Sequence, residues 1–252
     1  MYHTTGFTRN QIVDLCARIR AGWADEKPGC PPILGLFRSV AVTLTYLRRN
    51  RTQADLAETF GVSQPTISRA VSALTPLLGR VVDEYVPVAE DLDEATQYIV
   101  DGTLLPCWSW TGHRELYSGK HKTTGMNVQV ACTLSGHLAW ISDAIEGCRH
   151  DTAALQSSGV LDGLDPANWI GDKGYVGNQM ITPIKKPAHR ELYDWEEEFN
   201  QQVNKIRWVV EQVIANFKTW RIMHTDYRRP LKTFAQTIST VIALHFYKLA
   251  RE

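Results

Sequence analysis

A chain of 252 residues, 44% hydrophobic and 21% charged, is long enough to bury a sizeable core, which excludes a disordered tail. Its 27 Lys and Arg balance 27 Asp and Glu, which excludes a protein that coats nucleic acid through bulk positive charge but leaves room for local basic patches. The five cysteines, at positions 16, 30, 107, 132 and 148, are odd in number and contain no CxxC pair, so neither a disulfide framework nor a structural zinc site is indicated. MYHTTGFTRNQIVDL lacks the basic start and apolar run of a secretory signal, and no apolar stretch could cross a bilayer, so a cytoplasmic setting without a membrane is the default expectation.

In chain order, NQIVDLCARIRAGW predicts a helix, and the Pro- and Gly-rich EKPGCPPILGLF breaks it. FRSVAVTLTYLRRN, QADLAETF and SQPTISRAVSALTPLL then predict three further helices, the last two joined at Gly61-Val62. Residues 38 to 82 carry six Arg against Asp55 and Glu58, whereas Asp83 to Asp101 holds seven acids and no Lys or Arg. That reversal divides the chain into a helical region at 1–82, an acidic connection at 83–95 and a larger domain at 96–252. In the larger domain TQYIVDGTLLP, MNVQVACTL, LAWISDAI and ANWIGDKGY predict strands, with a helix near His150 and longer helices toward the end, a mixed α/β pattern.

QADLAETFGVSQPTISRAV fits a helix-turn-helix. Leu56, Ala57, Phe60, Val62, Ile67 and Ala70 can share one small core, Ser63 is placed to cap the second helix, and Pro65 suits its first turn. Gln64, Thr66, Ser68 and Arg69 are then free to approach DNA, with Arg48, Arg49 and Arg51 available for backbone phosphates. The bland alternative is a solvated helical hairpin.

Asp101 sits inside YIVDGTLL, whose apolar neighbours predict a buried strand with Gly102 giving close access to its end, and Asp172 repeats the arrangement in WIGDKGYVG; a buried anion there requires a partner or a metal. Paired at adjacent strand ends, their hard oxygens would favour Mg2+ or Mn2+; singly, each is equally a strand-end cap. Glu211 lies on the polar side of NKIRWVVEQVIANFKTWRI, where an i,i+4 pair with Arg207 is the plain alternative to a third catalytic carboxylate. Asp151 is expected to open the helix near His150 and to assist the site at most indirectly, and Glu196 to Glu198 read as a solvated charge run. Lys120, Lys122, Lys173, Lys185 and Lys186 are candidate phosphate contacts, and Trp108 and Trp110 candidate stacking platforms for a distorted DNA end. Seven basic residues between 205 and 232, including Arg228 and Arg229, suggest a further DNA-facing patch, and the apolar TFAQTISTVIALHFYKLA is expected to pack on the catalytic sheet or on another subunit.

The ordered set of VDGTLLP, YSGKHKTTGMNVQV, ISDAIEGCRHD, IGDKGYVG, TPIKKP and RWVVEQVIANFKTWRI, following the helix-turn-helix, resembles insertion-sequence transposases of the DDE-superfamily endonuclease group over almost the whole chain. Thr123 and Thr124 depart from the His-Gly that follows YSGKHK in many relatives. The resemblance implies a ribonuclease-H-like catalytic domain, a mixed sheet flanked by helices, after an all-α helix-turn-helix module. It implies a metal-binding catalytic triad of Asp101, Asp172 and Glu211. It also implies two Mg2+ ions, replaceable by Mn2+, that activate water or a DNA 3'-hydroxyl for in-line attack. The implied partners are double-stranded DNA with terminal inverted repeats, target DNA, and a second copy of the chain in a synaptic complex. A catalytically silent DNA-binding descendant and a metal-dependent endonuclease without strand transfer are the alternatives.

Overall fold

The computed structural model describes residues 1–22, 31–108 and 111–251. In chain order its helices are α1 (Tyr2–Thr5), α2 (Arg9–Ala21), α3 (Gly35–Arg49), α4 (Gln53–Phe60), α5 (Gln64–Val81), α6 (Asp151–Ser158), α7 (Asp194–Phe217) and α8 (Phe234–Leu249). The strands are β1 (Tyr98–Pro106), β2 (Tyr117–Ser118), β3 (Thr123–Thr133), β4 (Leu138–Ile141), β5 (Ile145–Glu146) and β6 (Trp169–Ile170). These elements form two compact units, one of Met1–Val86 with Lys218–Glu252 and one of Pro87–Phe217. No helix among the described residues is long and apolar enough to cross a membrane. Cys16, Cys107, Cys132 and Cys148 form no disulfide.

Local chemistry sets the ends of the first unit's helices. Thr8 and Gln11 form a capping box at the start of α2, the Thr8 N–H donating to Gln11 Oε1 at 2.8 Å and the Gln11 N–H to Thr8 Oγ1 at 3.3 Å. Asn50, in the left-handed region at φ 47°, ends α3, and Thr52 Oγ1 caps α4 by accepting the Asp55 N–H at 3.2 Å. Gly61, at φ 64°, supplies the left-handed residue that closes α4 and turns the chain into α5. Leu56, Ala57, Ile67 and Ala70 are buried as the pattern predicts, while Phe60 and Val62 are half-buried. Pro65 lies in the first turn of α5, and the Ser63 side chain, at the cap position, meets the Thr66 hydroxyl instead of a backbone N–H.

The last helix corrects one expectation. α8 packs on α5, where the Thr240 hydroxyl donates to the Thr75 carbonyl at 3.0 Å, and so belongs with the helix-turn-helix and not with the sheet. The physical reason is its composition: Phe234, Ile238, Val241 and Leu244 are fully buried, and Thr237, His245 and Tyr247 are buried beside them. A helix apolar around most of its girth has to be covered on more than one side, which a single sheet face does not provide. By packing, the sheet unit therefore stops at Phe217, whereas the sequence pattern carries the larger domain to 252.

In the second unit β1 is central, antiparallel to β3 along its whole length and parallel to β6 at Tyr98↔Trp169 and Ile99↔Ile170. β2, β4 and β5 pair with β3. Alternation along β1 sorts the side chains by face. Tyr98 and Val100 join Ala131, Leu155, Trp169 and Tyr175 in one core cluster, which puts α6 on that face, while Asp101 projects to the face covered by α7. Glu196 departs from the solvated charge run read in the sequence. It is 4% exposed, and its carboxylate takes both Arg190 guanidinium nitrogens at 2.6 and 2.8 Å, which holds its pKa down at about 2.

Candidate active site

β1 and β6 position the two aspartates. Asp101 and Asp172 each lie two residues beyond the paired Ile99 and Ile170. β6 stops at Ile170, so β1 has no β6 partner at Asp101, and Asp172 is near enough for its charge to act on the Asp101 carboxyl. Each is oriented by a backbone donor: the Gly102 N–H reaches Asp101 Oδ1 at 2.9 Å, and the Gly174 N–H reaches Asp172 Oδ1 at 2.6 Å. The Asp101 side chain is 17% exposed, and Arg207 of α7 donates to its Oδ2 at 3.3 Å. Burial pushes the Asp101 pKa up to about 6; Arg207 and Lys120 oppose that, while Asp172 and Asp151 add to it. The site is short of positive charge.

Asp151 enters the same neighbourhood from the other face of the sheet. It opens α6 and accepts from Lys120 Nζ at 2.8 Å and from Asn127 Nδ2 at 3.3 Å. The polar chain continues inward, Gln129 Nε2 donating to Asn127 Oδ1 at 3.3 Å and the buried Tyr175 hydroxyl donating to Gln129 Oε1. Burial, reinforced by Asp151, Asp101 and Asp172, holds the Tyr175 pKa well above its usual value, so the phenol stays a donor. Burial works against the charge on Lys120, but the Asp151 hydrogen bond and the pull of Asp151, Asp172 and Asp101 outweigh it and keep the Lys120 pKa raised. The sequence reading missed Arg207, Asn127, Gln129 and Tyr175 as parts of this site. Asn127 and Gln129 carried a usable signal, since two amides at alternate positions of an otherwise apolar strand share one face.

Glu211 is placed differently from the two aspartates. It is exposed on α7, one turn beyond Arg207 on the same side of the helix. Among the described residues no three Asp, Glu, His or Cys side chains converge as a metal-holding group. Asp101 and Asp172 alone fit a hard divalent cation, since Mg2+ is commonly held by one or two carboxylates with phosphate oxygens and water completing the shell. The Arg207 Nε beside them is buried without a hydrogen-bond partner among the described groups.

The candidate DNA contacts separate into several kinds. Gln64 and Arg69 are exposed on the first turns of α5, Gln64 Nε2 bonding Gln53 Oε1 at 2.6 Å and Arg69 Nε bonding the Pro65 carbonyl at 3.3 Å, and Ser68 is half-buried. Thr66 is a correction: it is buried, because its hydroxyl turns back onto Ser63 Oγ at 2.9 Å at the start of α5. Arg48 bonds Thr219 Oγ1 and lies over the Trp220 ring, Arg49 donates to the His3 carbonyl, and Arg51 pairs with Asp55 at 3.4 Å. Arg228 donates to the Asn50 carbonyl and Arg229 to Ser72 Oγ at 2.8 Å, so this pair extends the surface of the helical unit. It does not extend the sheet unit, because the loop that carries it leads into α8. Lys120, Lys122, Lys173, Lys185 and Lys186 are all exposed; Lys120 reaches the acidic site, Lys173 directly follows Asp172, and Lys186 pairs with Glu191. Trp108 is 55% exposed, and Trp110 lies outside the described residues.

Comparison with known proteins agrees with both halves of this picture. The family model described as DDE superfamily endonuclease matches residues 100–245, and the helix-turn-helix of DDE superfamily endonuclease matches residues 33–82. The chain is 30% identical over 222 residues to a protein of Streptomyces albus G named as a transposase for insertion sequence element IS112, covering 87% of this chain and 83% of the relative. It is 26% identical over 257 residues to one of Microchaete diplosiphon named as a transposase for insertion sequence element IS702, covering 96% of this chain and 91% of that relative. No solved structure matches. A helix-turn-helix followed by a mixed sheet with helices, together with these matches, places the chain in the DDE superfamily endonuclease family, among the insertion-sequence transposases.

Proposed function

We propose that the protein is an active DNA transposase that cuts its element's ends and joins the freed 3'-hydroxyl to target DNA, with a ribonuclease-H-like sheet unit carrying the chemistry. The observation that carries this reading is the nearness of Asp101 and Asp172 just beyond the parallel pairing of β1 and β6, with Asp101 raised to about 6 by its burial and by its acidic neighbours. A Mg2+ or Mn2+ ion held there would supply Lewis-acid activation of the attacking oxygen and charge neutralisation at phosphorus. Asp101 and Asp172 would hold it, kept in place by the Gly102 and Gly174 N–H groups. Glu211, on the Arg207 side of α7, is the proposed third carboxylate and the one a second ion would require.

Around that pair, Lys120 and Arg207 would present cations to the phosphodiester. Lys122 and Lys173 would extend phosphate contact, Lys185 and Lys186 would steer at longer range, and Trp108 would stack on a frayed base. In the helical unit Gln64, Ser68 and Arg69 would read terminal inverted repeats in the major groove, with Arg228 and Arg229 adding backbone contacts beside α5. Two copies of the chain would then pair two ends before target joining.

The test is product analysis: purified protein, Mg2+ and a duplex carrying the element's end, with and without a supercoiled target. A cut end joined through its 3'-hydroxyl supports the proposal; cutting without joining supports the plain endonuclease. The exposed position of Glu211 and the Arg207 contact on Asp101 favour one second reading, a DNA-binding protein that has lost its chemistry, and end binding without any cutting would establish it.

A further inference from the structure

Asp151 lies outside the three acids of the proposed chemistry, yet it is the most tightly held carboxylate near them. Its side chain is 11% exposed, whereas that of its partner Lys120 is 58% exposed, so Asp151 is the fixed half of the pair. Oδ1 takes the Asn127 amide, Oδ2 takes the Lys120 ammonium, and the Asn127, Gln129 and Tyr175 chain behind it anchors the whole group in the core. The space it fills exists because residue 102 is glycine: a Cβ there would lie 2.4 Å from Asp151 Oδ1. The Thr152 hydroxyl donates to the Gly174 carbonyl and ties the start of α6 to the turn that follows Asp172.

From this geometry we infer that Asp151 is a positioning residue, holding the Lys120 ammonium beside the Asp101 and Asp172 pair where the phosphodiester would sit. The inference rests on the phosphodiester reading of that pair. Asp151 approaches through the gap beside Gly102, on the face of β1 opposite to Asp101, and this placement distinguishes a brace from a third metal ligand. The sign of the charge points the same way. A bare carboxylate near the DNA backbone repels it, so a residue acting only through its charge would weaken binding and removing it would tighten binding; a brace acts on turnover.

Asp151→Asn keeps the size and an acceptor for Asn127 but loses the charge that fixes Lys120. Single-turnover cutting of end DNA is expected to fall about 10- to 100-fold, the loss typical of a misplaced catalytic group, with unchanged DNA affinity and an unchanged Mg2+ midpoint. Lys120→Ala is expected to show a similar fall, and the double variant to be no slower than the slower single one, since the two residues act as a unit. Wild-type rate in either single variant, losses that multiply in the double, or a tenfold rise in the Mg2+ requirement of Asp151→Asn would overturn the inference. Lys120 is exposed, so its variant decides the matter even if Asp151→Asn does not fold. A wild-type protein that binds ends and cuts nothing overturns the site's proposed chemistry and this inference with it, whereas normal cutting by the variants overturns this inference alone.

Discussion

Gly102→Ala perturbs the acidic site without removing any charged or hydrogen-bonding group. The added Cβ would lie 2.4 Å from Asp151 Oδ1 and 3.0 Å from Gln129 Nε2, against a relaxed contact of about 3.5 Å, so the Asp151 carboxylate has to withdraw by roughly 1 Å. It cannot withdraw freely, because Asn127 and Lys120 hold it and Gln129 and Tyr175 lie behind them. The Gly102 N–H that orients Asp101 is retained. Overpacking of this size costs about 1 to 3 kcal/mol, which corresponds to a melting temperature lower by about 3 to 10 °C in a chain of this length. Moving Asp151 by about 1 Å shifts the Lys120 ammonium that it holds, and a misplacement of that size lowers the rate by about 100-fold. Thermal unfolding and single-turnover cutting of end DNA, measured on the same preparation, separate the two effects. Cutting at the wild-type rate with an unchanged melting temperature would refute the close packing of Asp151 against β1 and the role drawn from it.

Removing α8 is expected to unfold the helical unit: Phe234, Ile238, Val241 and Leu244 are fully buried, each worth about 1.5 to 3 kcal/mol, and circular dichroism of a chain ending at Thr233 would show loss of helix well beyond α8 itself. His245 is buried and accepts from Trp220 Nε1 at 3.3 Å, and burial, with Lys248 and Arg48, pushes its pKa down to about 3 from the usual 6.5. Its contribution is intact above pH 6.5 and declines as pH falls toward 3, because only the unfolded chain takes up the proton; denaturant titrations should show the wild type losing about 1.4 kcal/mol per pH unit more than His245→Gln over that window. In the recognition helix, Gln64→Ala and Arg69→Ala are expected to weaken end binding by about 1 to 3 kcal/mol each if they read base edges, whereas the buried Thr66→Val leaves binding within about twofold; anisotropy titrations with end and scrambled duplexes decide this.

Much of this architecture was legible in the sequence because its signals are local. The α4 and α5 pair announced itself through an apolar stripe, a glycine at the turn and a proline in the first helical turn, and Asp101 and Asp172 through apolar runs that carry an Asp beside a Gly, although Asp101 lies inside β1 and Asp172 two residues past β6 and not at paired strand ends. The misses are all long-range. Whether α8 covers a sheet or a helix cannot be read from its own residues, since an apolar helix suits either neighbour. Thr66 looked like a base reader because the exposed and buried sides of α5 differ by a rotation that one residue's identity does not specify. Glu196 looked solvated until Arg190 was brought to it. Arg207 and Glu211, one turn apart, were legible as a helical face, but which of them meets Asp101 depends on how α7 lies on the sheet.

Asp101 and Asp172, with Glu211, are proposed to perform metal-dependent cutting of DNA ends. This role is tested most directly by incubating end DNA and Mg2+ with the wild type and with Asp101→Ala, Asp172→Ala and Glu211→Ala, scoring binding and strand cleavage in parallel. All four proteins are expected to bind the end, the wild type to cut it only when Mg2+ or Mn2+ is present, and the three variants not to cut. Cutting that survives the loss of either aspartate, or wild-type binding with no cutting under any divalent cation, would contradict this role.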